Sequence, residues 1–287
     1  MRTNGRWPGR PILQQDESFS SWFARAAAAN GLRSGELLQA LQPGADRGQR
    51  DLDRHADPHL LKAAADGTGQ NFDILNQATF RRWAGSVYGH DDGLNKLPWL
   101  PPAGRQGGTR SFGQQLCPHC LAADERPYLR LTWRLSFMTA CSVHGHLLLD
   151  RCPSCNEPFH VEHLDLRQVR CGFCGNDLRH HAGGEPTVDL LPAQDVLSAI
   201  VERGWMQLGD YGPQYSFVVL DILALPMRLL SGGRHAYALR GWVGEHEPDL
   251  AVPPETIPRV REGALLTPRA RSVLVPMAHW LLSACAS

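Results

Sequence analysis

Four short motifs decide the fold, and they read CPHC at 117–120, CSVH at 141–144, CPSC at 152–155 and CGFC at 171–174. A gap of two residues lets both side chains of a pair turn toward one ion, and two pairs complete a closed tetrahedral zinc site. The sequence therefore predicts two structural Zn²⁺ sites with eight ligands: Cys117, Cys120, Cys141, His144, Cys152, Cys155, Cys171 and Cys174.

The residues beside the pairs also favour metal binding. Gly145, Asn156 and Gly175 directly follow the second ligand of their pairs. These residue types tolerate a positive φ, which turns backbone N–H groups toward a bound sulfur. Pro118 and Pro153 fix φ just after the first cysteine and stiffen the loop before the metal binds.

Two features of these sites stay open at the level of sequence. Neighbouring pairs close shorter loops than interleaved pairs and are favoured because they lose less chain entropy. His146 is an alternative to His144 as the fourth ligand of the first site, and Cys285, which has no partner pair, is expected to be an inert buried thiol.

A disulfide framework is the competing interpretation of the cysteines, and it requires an oxidising compartment. The chain begins MRTNGRWPGRPILQQDESFS, which contains no apolar run of signal-peptide length. The most nearly apolar stretch, 217–230, contains Asp221 and is too short to cross a bilayer. A cytoplasmic protein that does not span a membrane is expected.

The length and composition limit the number of domains and the kind of partner that the protein can attract. A chain of 287 residues with 43% hydrophobic content can hold one large domain or two to three small ones. Basic and acidic residues number 29 each, so no net charge draws the protein onto nucleic acid, and any DNA contact must be local.

The first predicted segment, 1–96, is a helical module. Asp16 or Ser18 can cap a helix in DESFSSWFARAAAANG, and Ser34 can cap a second one after a glycine-containing turn. The two helices predict a helix-turn-helix-like unit. Two more helices are expected at 59–69, ending at Gly67, and at 71–85.

The remaining segments are a linker, a zinc region and a second helical module. Residues 97–113 are rich in proline and glycine and are predicted to be a linker that contains Trp99. Residues 114–184 form the tandem zinc-binding region of ribbons and knuckles, within which ERPYLRLTWRLSFMTA fits either a strand or a helix. The fold class is thus mainly α with small β elements at the zinc sites.

The last segment, 185–287, is predicted to be helical at 192–204, 216–231 and 268–284. Its expected core residues share helical spacing: Val196, Ile200, Val201, Leu220, Leu223, Leu229, Leu274, Trp280 and Leu281. Arg269 and Arg271 are two charges that form either a basic patch or a solvated helix face.

Zinc-dependent deamination is the enzymatic alternative, because HVE at 160–162 precedes CGFC. That signature requires a proline before the first cysteine and an open coordination position, whereas Arg170 occupies the proline site and nearby cysteines close the ion. His160 and His163 are expected to be exposed polar residues or, as the alternative, to make hydrogen bonds to the metal ligands, and no catalytic residue is predicted.

The stretch QLCPHCLAADERPYLRLTWRLSFMTACSVHGHLLLDRCPSCNEPF, followed by CGFCGNDL, resembles the TniQ family of bacterial transposition proteins, which includes the TnsD target selectors. DESFSSWFARAAAANGL and LTPRARSVLVPMAHWLL are similar to the first and last helices of that family. The resemblance implies that the eight metal ligands are structural. It also assigns Trp133 and Arg134 to the central motif of the family.

The resemblance further implies a non-enzymatic adaptor between target recognition and an AAA+ transposition ATPase of the TnsC or TniB type. The target is DNA itself or an RNA-guided CRISPR effector complex, and a homodimer is possible. The chain stops soon after Leu282, so a TnsD-type recognition extension is expected to be missing. The alternative is a zinc-containing DNA-binding transcriptional regulator. Contacts to nucleic acid or a partner are expected at Arg25, Arg33, Arg130, Trp133 and Arg134.

Overall fold

The computed structural model describes residues 5–44, 51–89, 97, 99–106, 109–253, 257 and 266–286. The described chain is mainly helical and has three two-stranded antiparallel sheets. It forms two compact units, each assembled from three stretches of sequence. The first unit consists of 1–82, 102–134 and 150–181, and the second consists of 83–101, 135–149 and 182–287.

The first unit contains five helices before its zinc-site region. They are α1 (Phe19–Ala29), α2 (Ser34–Leu41), α3 (Leu52–His55), α4 (Pro58–Thr68) and α5 (Phe72–Gln77). The unit continues with β1 (Ala103–Gln106), β2 (Thr109–Phe112), α6 (Pro118–Ala123), β3 (Leu164–Asp165) and β4 (Arg170–Cys171). The antiparallel partners of the two sheets are Ala103 with Phe112 and Leu164 with Cys171.

The predicted first helix is confirmed as α1. The Ser18 hydroxyl accepts a hydrogen bond from the backbone N–H of Ser21 and so caps the helix, as one of the two expected capping residues. The spacing of three and four residues buries one face completely. That face packs in a core with α2, α3, α4 and α5, and its buried residues are Phe19, Trp22, Phe23, Ala26 and Ala27.

Three predicted helix boundaries in this unit were wrong. Helix α2 begins at Ser34 itself, and its N-cap is Arg33. Helix α4 continues past Gly67, whose missing side chain makes room for the Trp7 ring, and ends at Thr68, with Gly69 as its C-cap at φ +77°. The helix expected over 71–85 ends at Gln77, because the next carbonyl accepts the N–H of Phe19 instead of continuing the helix.

Residues 97–113, predicted to be a linker, contain the β1–β2 hairpin. The stretch between the first two metal-ligand pairs is neither the strand nor the helix that its sequence allowed. It contains a 3₁₀ turn at Thr132–Arg134, and Leu129 and Leu131 bond to the backbone just before α1. The N–H of Ser18 donates to Leu129 O at 2.9 Å, and the N–H of Leu131 donates to Asp16 O at 2.6 Å.

The second unit is built on α7 (Leu190–Arg203), α8 (Ser216–Ser231), α9 (Ala236–His246) and α10 (Pro268–Ala286). A hairpin of β5 (Trp205–Gln207) and β6 (Pro213–Tyr215) connects α7 to α8. Trp99 also lies in this unit, where its indole N–H donates to Leu220 O at 3.1 Å and its ring meets Phe137 edge to face.

The three helices predicted in this unit are present, but some expected burials were wrong. Val196 and Leu229 are 42% and 58% exposed, because Ala193 and Leu197 on α7 and Leu230 on α8 take the buried positions. Arg271 is buried and therefore forms no surface patch with Arg269. Helix α9 was not predicted from the sequence, because Gly241 and Gly244 weaken its helical pattern.

Among the described helices, no single one is long and apolar enough to cross a membrane. The pair α8 and α9 together meets the length and composition requirement, with a bend of 107° between them.

Candidate metal centres

One four-cysteine cluster lies entirely in the first unit. Its four sulfur atoms, from Cys152, Cys155, Cys171 and Cys174, lie within 4.8 Å of one another. The Cys152 and Cys174 sulfurs are 3.6 Å apart, and those of Cys155 and Cys171 are 3.7 Å apart. The edge of a tetrahedron with metal–sulfur bonds of ~2.3 Å is about 3.8 Å, so the cluster has the size of a tetrahedral zinc–thiolate site.

Backbone N–H groups point at the sulfurs of this cluster. The N–H groups of Ser154 and Cys155 donate to Cys152, and that of Glu157 donates to Cys155. The second pair repeats the pattern, with Phe173 and Cys174 donating to Cys171 and Asn176 donating to Cys174. Such donors stabilise thiolates, which are the metal-binding form of cysteine.

The residues that follow the pairs have the backbone conformation that the sequence predicted. Asn156 has φ +59° and Gly175 has φ +72°. Each closes a tight turn, with an N–H donated at 2.8 Å to the carbonyl of Cys152 or Cys171. The turn aims the following N–H groups at the sulfurs, so a local sequence choice sets the geometry of the cluster.

The other cluster consists of Cys117, Cys120, Cys141 and His144, whose ligand atoms also lie within 4.8 Å of one another. The Cys141 sulfur is 3.6 Å from Nδ1 of His144. Gly145 has φ +70° and donates its N–H to Cys141 O, as in the other turns. Each cluster thus groups neighbouring pairs, the favoured arrangement, and His144 rather than His146 joins the first cluster.

The chemistry of both donor sets fits a metal ion. Burial raises the pKa of the thiols of Cys152, Cys155 and Cys171, whereas the N–H of Asn176 lowers that of Cys174 to about 7. Bringing four such sulfurs together without a cation would place poorly solvated thiols or mutually repelling thiolates side by side. A dication removes that cost, which makes both clusters compatible with zinc.

A buried ionic network that the sequence did not predict lies in the first unit. Arg134 is 1% exposed and pairs with Asp51 at 2.5 Å and with Asp53 at 2.7 Å. Its Nε donates to Gly113 O, and the N–H and hydroxyl of Ser20 donate to Asp53. The network joins α1, the start of α3, the end of the β1–β2 hairpin and the 3₁₀ turn that carries Arg134.

Charge pairing decides the ionisation of this network. Burial opposes the charge of Arg134, but the two carboxylates outweigh it and raise the pKa of Arg134. Burial also disfavours the charged form of Asp51, but the attraction of Arg134 outweighs burial and lowers the pKa of Asp51. Burial and the neighbouring Asp51 together raise the pKa of Asp53. A charged residue inside the apolar run LTWRLSF was the sequence signal that a buried partner exists.

His160 was expected to be exposed, and that expectation was wrong. It is 5% exposed, and its ring packs where a side chain at Gly104 would stand. Its Nδ1 accepts the N–H of Glu162 at 3.4 Å. Burial is the largest cause that lowers its pKa to about 4, so the ring is neutral.

The other residues predicted to make contacts occupy different environments. Arg25 forms a bidentate pair with the buried Glu17. Arg130 pairs with Asp124 at 2.8 Å and stacks over the rings of Tyr128 and Trp133. Trp133 is buried, Arg134 lies in the network above, and Arg33 is exposed at the start of α2. A partner for any of them stays a prediction.

Residues 8–148 match the model of the TniQ family. The matched range contains α1 to α6, the ionic network and the first metal cluster, whereas the second cluster lies beyond it. No curated protein matches this chain.

Proposed function

The chain belongs to the TniQ family of transposition-associated, non-catalytic proteins, and on that premise we propose that it is an adaptor linking target recognition to an AAA+ transposition ATPase. The match over residues 8–148 is the observation that carries the proposal. In this role the protein performs no chemistry of its own. It holds the ATPase at a chosen target so that the transposase follows.

We further propose that the metal in both clusters is zinc and that it is structural. Four sulfurs, or three sulfurs and an imidazole, are ligand sets that zinc prefers. Four protein ligands close a tetrahedral ion and leave no position for water or substrate, in contrast to a catalytic site with three protein ligands. This ligand count supports an adaptor over a zinc deaminase.

The proposed partners are a TnsC- or TniB-like ATPase and a target, which is DNA or an RNA-guided effector complex. Arg33 is the most accessible of the five predicted contact residues, because the other four are buried or half-buried. The guanidinium groups of Arg25, Arg130 and Arg134 are already paired with carboxylates. The start of α2 is therefore the first surface to test.

The test uses the purified full chain with the ATPase encoded in the same transposon and with immobilised target DNA, with and without the guide complex. We expect the chain to raise the amount of ATPase retained on DNA. Replacing Arg33→Glu should reduce that gain by about fivefold, the effect of losing roughly 1 kcal/mol of contact energy. Arg228→Glu, at an exposed position of α8, is the matched control.

Unchanged ATPase retention and unchanged target choice would contradict the adaptor role. Sequence-selective DNA binding by the chain alone, with no effect of the ATPase, would support the transcriptional regulator instead. A salt titration separates specific from electrostatic binding in that case.

A further inference from the structure

The β5–β6 hairpin of the second unit exposes three aromatic rings. Trp205 is 45% exposed, Tyr215 is 67% exposed and Tyr211, in the turn between the strands, is 78% exposed. We refer to residues 203–217 as the aromatic hairpin. Exposed rings gathered on one short element are unusual, because aromatic side chains provide large apolar area and usually bury it.

The backbone places two of these rings side by side. Gly204 ends α7 with φ +83°, so the chain reverses at once into β5. Trp205 and Tyr215 are directly opposite each other in the antiparallel register, and their side chains therefore lie on the same face. Tyr215 also stacks on Phe217, with 5.7 Å between the ring centroids and 12° between the planes.

The internal packing of the hairpin uses its other face. Met206 and Gln214 are opposite each other and half-buried, whereas both strands expose the residues on either side of them. Trp205 and Tyr215 thus lie on the face opposite to Met206 and Gln214 and stay 45% and 67% exposed. Tyr and Trp are the residues most enriched at the energetic centres of protein interfaces.

Nearby charge indicates which partner these rings suit. Arg203 already places its guanidinium 5.7 Å from the centroid of Trp205, which shows that the ring is accessible to a cation. Glu202, just before the hairpin on α7, and Asp210, in the turn between the strands, are exposed. The sequence of the second unit also contains more acidic than basic residues.

We propose that the aromatic hairpin is a docking surface for a basic, extended segment of a partner protein. Arginine or lysine side chains of that segment stack on Trp205, Tyr211 and Tyr215, and Glu202 and Asp210 complement their charge. A single-stranded nucleic acid also stacks on aromatic rings, but it requires a cationic surface. Residues 202–215 contain two exposed carboxylates and one guanidinium, so the hairpin does not provide such a surface.

This surface lies outside residues 8–148 and goes beyond the adaptor proposal. It requires neither the transposition ATPase nor either metal cluster. The test therefore uses no transposition component, and its failure would leave the proposed function intact.

The experiment measures fluorescence anisotropy of labelled probes with the purified full chain. The probes are a 12-residue peptide of alternating arginine and glycine (~36 Å when extended), the same peptide with glutamate for arginine, and a thymidine oligonucleotide. We expect the arginine peptide to bind and the other two to bind more weakly. The double variant Trp205→Ser, Tyr215→Ser should weaken that binding about tenfold, the effect of losing two exposed cation–π contacts.

Two further variants make the result specific. Tyr237→Ser removes a ring of similar exposure from α9 and should leave the affinity unchanged. The double variant Glu202→Gln, Asp210→Asn keeps every ring and should weaken the arginine peptide about threefold at low salt. Because its substitutions are exposed and isosteric, this variant decides the question if the serine variant proves unfolded by circular dichroism.

Three outcomes would overturn the inference. The first is equal binding of the arginine and glutamate peptides. The second is an equal effect of Tyr237→Ser and of the hairpin variants. The third is an oligonucleotide that binds more tightly than the arginine peptide and loses affinity in the serine variant, which would identify a base-stacking surface.

Discussion

At Arg134 a single guanidinium pairs with two buried carboxyl groups, those of Asp51 and Asp53. Replacing Arg134→Met keeps most of the side-chain volume but leaves Asp51 and Asp53 buried without their counter-charge. We expect the free energy of unfolding to fall by about 3–5 kcal/mol, the usual cost of breaking a buried ion pair on one side. Chemical denaturation of the full chain, followed by circular dichroism, measures the change.

The Arg134→Met result has a control and a rescue. Arg228→Met replaces an exposed arginine and should change stability by less than about 0.5 kcal/mol. Adding Asp51→Leu and Asp53→Leu to Arg134→Met removes the unpaired charges and should restore much of the loss. A stable Arg134→Met single variant would mean that the two aspartates are neutral in the folded protein.

His160 provides a prediction on pH. Its folded pKa of about 4 lies below the ordinary value of 6.5, so the unfolded chain binds the proton more readily. The neutral His160 ring therefore favours the folded state fully above pH 6.5. As the pH falls toward 4, the free energy of unfolding should decrease by about 3 kcal/mol in total. His160→Gln should flatten the dependence of stability on pH over this interval. Parallel curves for the variant and the natural chain would contradict the assignment.

At the scale of the element, the turn after three of the four metal-ligand pairs depends on a residue in the left-handed conformation, namely Gly145, Asn156 and Gly175. Asn156→Ala keeps the β-carbon at φ +59° but removes the short polar side chain that lets asparagine adopt this conformation, and it should cost about 1–2 kcal/mol, whereas Asn156→Gly should be tolerated. Because the turn aims N–H groups at the sulfurs, the loss should appear as weaker metal binding, by about tenfold in a chelator competition. Equal metal affinities for the two variants would show that the backbone turn does not contribute to metal binding.

The elements also show what a sequence can predict. The helix α1 and the metal turns depend on residues within four positions of one another, and their spacing alone indicated both. Helix α5 ended early because of a bond to Phe19, more than fifty residues away in the chain. The ion pairs of Arg134 could not be predicted for the same reason. Its partners Asp51 and Asp53 lie 83 and 81 positions away in the chain, so no local sequence pattern indicates them.

At the scale of the whole molecule, metal should account for a large share of stability. We expect elemental analysis of the natural protein to return two zinc ions per chain. Chelation should unfold the 150–181 region, because zinc binding of roughly 10 kcal/mol or more per site doubles as folding energy in such short segments. Helical signal from α7 to α10 should largely persist, and the difference can be followed by hydrogen exchange.

Single cysteine variants test the metal count. Cys155→Ser should reduce the zinc content to one ion per chain, while Cys285→Ser, outside both clusters, should retain two. Zinc content that does not change with Cys155→Ser would disprove the second site. An equal loss from Cys285→Ser would show that the assignment of ligands is wrong.

Cys174 differs from the other seven metal ligands because it is exposed. Its three cluster partners are buried or half-buried, and so are the ligands of the other cluster, whereas its sulfur lies at the protein surface. An electrophile or a peroxide therefore reaches Cys174 before the other seven ligands. Oxidative damage should begin there and release one ion while the other stays bound, so a stressed cell would hold a half-metallated form of the protein.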